Sequence, residues 1–128
     1  MEKKILITAL SFGFVSIVLG AFGAHALKKV LTADQLTSFE VGVRYMMYHA
    51  LFLLFVGSAS ALLPGQKNVV YNLTLIGTLF FSVSIFLLST QTISGVNFKF
   101  LGPVTPIGGL LLIAAWAMAT YYIITKKG

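Results

Sequence analysis

Gly20-Ala21-Phe22-Gly23-Ala24-His25-Ala26-Leu27 closes an apolar run that opens near Ile5, and Lys28 and Lys29 end it. About 20 apolar residues are enough to cross the hydrocarbon core of a bilayer, and this run exceeds that length without a charge inside it. Three further apolar runs follow, so the chain reads as an all-α membrane protein. Its four transmembrane helices, about 5–27, 45–63, 69–88 and 104–124, form an antiparallel bundle within a single domain.

The composition agrees. Of 128 residues, 58% are hydrophobic and 9% charged, and the mean hydropathy is +0.96, more apolar surface than a soluble domain of this size can bury. The formal charge of +6 comes from lysines gathered at the span ends, where they meet lipid phosphates. That placement points to membrane lipids as partners and away from nucleic acid. The chain lacks cysteine, which excludes a disulfide framework and a thiolate metal site. Lys3, Lys4, the apolar run and Ala24-His25-Ala26 imitate a cleavable signal peptide, but the run is long for one.

In the first span Gly13, Ser16, Gly20, Gly23 and Ala24 recur at three- and four-residue steps. Such a stripe admits another helix closely, either within the monomer or from a second subunit. Thr32 and Gln35 have the spacing of a capping box, so the second helix is expected to start at Ala33 with an amphipathic lead-in and to continue to Pro64. Glu40 and Arg44, four apart, form a solvated pair in that lead-in. Pro64 to Asn68 reads as a turn. Thr105 and Pro106 read as the N-cap and first position of the fourth helix, where Gly108 and Gly109 permit close packing.

With four spans both termini share one side. That side carries Lys3, Lys4, Lys67, Lys126 and Lys127 against Lys28, Lys29, Arg44 and Lys99 opposite, which favours cytoplasmic termini in a plasma membrane. The candidate polar site falls on the other side and comprises His25, Arg44, Tyr45, His49 and Thr105, with the two histidines expected at similar depth. They are either structural, bonding backbone carbonyls or Tyr45, or they form a site. A proton or solute pathway would titrate them, and a haem would take both imidazoles on its iron. No catalytic acid and base pair or serine triad is visible, and no cofactor or metal is expected.

Taken in order, Gly20 to His25, Gly42 with Tyr45 and His49, Phe81-Ser82 with Ser84, and Thr105 to Gly109 with Trp116 resemble the small four-helix membrane proteins of domain of unknown function 423. Eukaryotic transmembrane protein 256 is similar. The resemblance implies the fold and a bacterial plasma-membrane location; the family has no settled activity. Met46, Val83 and Phe86 stand where relatives often carry glutamine, glycine and tyrosine, losses that count against a hydrogen-bonded channel. The sequence thus reads as a non-enzymatic component supporting the envelope or a partner protein, with a small transporter or channel second and a haem protein third. A homo-oligomer or a membrane-protein partner is compatible with each.

Overall fold

The computed structural model describes residues 2–126. The side chain of Ala24, read above as part of the packing stripe, and Lys127, counted among the terminal lysines, lie outside the described residues. Four long helices cross: α1 Glu2–Leu27, α2 Ala33–Ser58, α3 Pro64–Ser89 and α4 Val104–Ile124. A short helical turn, Gln91–Ser94, and a 3-10 turn, Lys99–Leu101, lie between α3 and α4.

The start of α2 follows from its capping box: the Gln35 N–H donates to Thr32 Oγ1 (3.2 Å), and the Thr32 N–H donates to Gln35 Oε1 (2.9 Å). Its end differs from the expectation. Ala59 turns extended and α2 stops at Ser58, while Pro64 opens α3, so the turn lies over 59–63 and the stretch Pro64 to Asn68 is helical. The reason is local. Proline at the first helical position has no N–H to lose and forces extended backbone on Leu63 before it, whose own N–H donates to Gln66 Oε1 (3.0 Å). In α4 the cap falls on Pro103 rather than Thr105, which places Pro106 within the first turn, where its missing N–H still costs nothing.

α1 and α2 run antiparallel in a register fixed by small residues. Gly57 faces Leu6, Gly13 faces Ala50, Gly20 faces Val43 and Gly23 faces Phe39. The stripe of α1 is therefore turned inward onto α2, and a Cβ on Gly23 would meet the Phe39 ring at 2.6 Å. α4 packs along α3 in the same manner, with Gly77 against Leu112 and Gly108 against the backbone of Phe80 and Phe81. α2 and α3 form the middle of the bundle, and among the described residues α1 and α4 do not meet. Their shared core includes Ile5, Leu53, Val56, Val70, Ala115 and Ala119.

Both hairpins carry a single π-turn in their first helix, Leu19–Gly23 in α1 and Leu79–Val83 in α3. Each lies where a glycine contact brings a neighbour close: Gly20 and Gly23 belong to the first, and the second supplies the backbone against which Gly108 rests.

Candidate functional site

His49 sits on the seam of α2 that faces α3 and α4 and is 4% exposed. Its Nδ1 lies 2.7 Å from the carbonyl oxygen of Tyr45 one turn earlier, and the Trp116 indole N–H donates to its Nε2 at 3.0 Å. A carbonyl can only accept and an indole N–H can only donate, so the ring proton is on Nδ1 and both nitrogens are committed. The Phe52 ring stacks on the indole at 4.1 Å, while the imidazole meets the indole edge-on at 6.0 Å. Tyr45 contributes its carbonyl to the histidine, and its ring packs on Phe81 (5.0 Å). Tyr45, His49, Phe81, Gly109, Leu112, Ile113 and Trp116 line a lateral hollow of about 480 Å³.

The remaining sequence candidates lie elsewhere. By the α1–α2 register His49 is level with Phe14, eleven residues from His25, and a helical rise of 1.5 Å per residue sets the two histidines about 16 Å apart in depth. They do not share a site, and the expectation of similar depth gives way because α2 enters the bundle a dozen residues before its apolar run. His25 is exposed near the end of α1. Arg44 is half exposed, 3.9 Å from Glu40. Thr105 lines a different hollow of about 520 Å³ at the loop end, together with Asp34, Gln35, Ser89 and Gln91.

Trp116 was visible in the sequence only as packing. The missed signal is that an indole N–H inside a membrane needs an acceptor, and few exist in these spans. Inside α3, Ser82 crosses to the Gly42 carbonyl (2.9 Å) rather than bonding its own helix, whereas Thr74 bonds back to Val70 (2.8 Å). The hydroxyls of Ser16 and Thr78 are buried with no hydrogen-bond partner among the described residues.

The densest polar network lies at the opposite end. Lys67 is 4% exposed, and its Nζ donates to Glu2 Oε1 (2.6 Å) and to the Gly57 carbonyl (3.1 Å) at the C-terminus of α2. Lys4 donates to Asn68 Oδ1 (3.1 Å) and stands 5.0 Å above the Tyr71 ring, whose hydroxyl is 2.9 Å from Thr8 Oγ1. Glu2 precedes the apolar run that starts at Ile5. The hydrogen bond and charge of Lys67 hold its carboxyl below the usual glutamate value. Sequence reading assigned these lysines to lipid phosphates. α1 and α3 start on the same side, however, and that parallel start brings Glu2 to Lys67.

A family described as "Protein of unknown function (DUF423)" matches residues 19–109. Among curated proteins, a UPF0382 membrane protein of Staphylococcus haemolyticus is 39% identical over 81% of this chain and 81% of its own length. UPF0382 membrane protein YwdK of Bacillus subtilis is 36% identical over 92% of this chain and 93% of its own. UPF0382 inner membrane protein YgdD of Escherichia coli is 32% identical over 91% and 86%. No solved structure matches.

Proposed function

The chain belongs to the DUF423 family of bacterial membrane proteins, and from that premise and the geometry above we propose that it is a non-enzymatic structural component of the plasma membrane, supporting the envelope or a partner protein, with both termini in the cytoplasm. One observation carries the reading: the buried histidine spends both ring nitrogens inside the bundle, on the Tyr45 carbonyl and on Trp116. A pathway for protons hands them along a chain of titrating groups. The ring neighbours of His49 are Phe52 and Trp116, neither of which titrates in this way. A haem held by both histidines is disfavoured by their separation in depth, because two axial imidazoles must reach one iron.

Loss of the gene should sensitise cells to membrane-active detergents, and His49→Gln, which keeps a hydrogen-bonding side chain, should restore resistance. Reconstituted in vesicles, wild type and His49→Gln should both show the proton flux of empty vesicles. Flux that depends on His49, or a well-folded His49→Gln that fails to complement, would replace this reading with the transporter. Reporters fused before Met1 and after Gly128 should both report the cytoplasm.

A further inference from the structure

α2 carries an exposed stripe: Thr37, Glu40, Arg44, Tyr48, Leu51 and Phe55 follow one another at three- and four-residue steps, and Glu40 and Arg44 border a small hollow with Leu19 and Gly20 of α1. The exposed faces of the outer helices between Ile5 and Leu27 and between Val104 and Ile124 hold no Asp, Glu, Lys or Arg, and present Leu10, Phe14 and Ile17 on α1 and Leu110 on α4. The α2 stripe instead holds an ion pair.

Its depth follows from the register. Gly20 faces Val43 and Gly23 faces Phe39, so Arg44 is level with Leu19 and Glu40 with Phe22 and Gly23. Counted back from Lys28 at 1.5 Å per residue, Arg44 lies about 13 Å and Glu40 about 7 Å inside the end of the apolar run. By this count the half-exposed pair falls within the apolar length of α1. Charges at such depth turn inward to a cavity or to other protein. The Glu40–Arg44 contact is a single approach of 3.9 Å with both side chains half exposed, which leaves most of the five guanidinium donors unused.

We propose that this stripe is the interface of a homodimer, in which a two-fold axis along the membrane normal sets two α2 helices side by side. Glu40 and Arg44 of each copy then complete a four-charge cluster of zero net charge. The two-fold sets each residue level with its own counterpart and each Glu40 one turn from an Arg44 of the other copy, an offset that long side chains bridge, whereas an unrelated partner must supply both charges independently. A two-fold contact is self-complementary in this sense. Along a parallel pair Glu40 of one copy lies one helical turn from Arg44 of the other, within reach of two long side chains. Tyr48, Leu51 and Phe55 extend the seam towards the Lys67 end at the spacing of left-handed helix pairs. Lipid phosphate is a poorer occupant, because it lies at the surface and Glu40 repels it. The proposal holds whatever the component supports.

The chain has no cysteine, so single introduced cysteines report the interface directly. Full-length Tyr48→Cys and Leu51→Cys, oxidised in phosphatidylcholine vesicles at high lipid-to-protein ratio, should give disulfide-linked dimers, and Ile17→Cys and Leu110→Cys should not. Adding Arg44→Glu to Leu51→Cys should abolish the dimer, and adding Glu40→Arg as well should restore it. Equal linkage at all four positions would overturn the proposal, as would linkage indifferent to charge reversal. Linkage that appears only with phosphatidylglycerol present would assign the charges to anionic lipid instead. The comparison of cysteine positions needs no charge change and stands even if a reversed variant fails to fold.

Discussion

Gly108→Ala tests the tightest of the glycine contacts between the helices. A Cβ there would lie 2.5 Å from the Phe81 nitrogen, 2.7 Å from the Phe80 carbonyl carbon and 2.8 Å from the Phe80 Cβ. Two of these atoms are backbone in the π-turn Leu79–Val83, so no rotamer change relieves the clash and α3 and α4 must separate. Overpacking of this kind costs about 1–3 kcal/mol. Alanine recovers up to about 1 kcal/mol of helix propensity, which leaves a net loss on the order of 1–2 kcal/mol. Gly109→Ala is the matched control, because its Cβ meets only the Phe81 ring at 3.7 Å, an ordinary contact. It should be neutral or slightly stabilising. Both variants can be followed by denaturant unfolding in bicelles, read through the single tryptophan. Equal stability of the two would refute the close α3–α4 approach and the role given to the π-turn.

Trp116→Phe keeps an aromatic ring against Phe52 but leaves His49 Nε2 without a donor, and should lower stability by about 1 kcal/mol. In a His49→Phe background the same change should cost less, and equal costs would mean that the indole and imidazole are not coupled. Glu2→Gln should lower the midpoint of thermal unfolding at pH 7. Because the folded carboxyl titrates below the ordinary value of 4.5, the contribution of its charge is complete above that pH and disappears as pH falls through the depressed folded value. Wild type and variant should therefore converge in acid; a gap that widens there would contradict the Lys67 contact. Gly20→Leu should unfold more easily than Leu19→Ile, since Val43 stands 3.4 Å from the position of a Cβ on Gly20.

The four spans were legible because each is a long apolar run with charged, polar or turn-forming residues at its ends, and the capping box at Thr32 and Gln35 was legible because its residues are neighbours in sequence. The end of α2 was not. A proline marks a helix boundary without saying on which side of it the helix lies, and here Pro64 begins one. The partner of His49 was hidden for another reason: Trp116 is 67 positions away, and the offset between the two hairpins leaves no trace in periodicity. Tyr45 was singled out through its spacing to His49, but the atom that serves is its carbonyl, which any residue would offer. Lys67 looked like any lysine beside a bilayer. Only the parallel start of α1 and α3 shows it turned inward to a carboxylate and a helix end.

That inward lysine bears on the order in which the protein is put together. A single ammonium joins the first residues of α1, the last turn of α2 and the first turn of α3, so the junction is complete once the chain has been synthesised through Lys67 and a little beyond. α4 takes no part in it. Synthesised after that junction, α4 thus meets a three-helix unit already tied at the Lys67 end, and its own docking is decided by glycine against backbone and by one indole finding one imidazole. Chains truncated before Val104 should keep the first junction and lack the second.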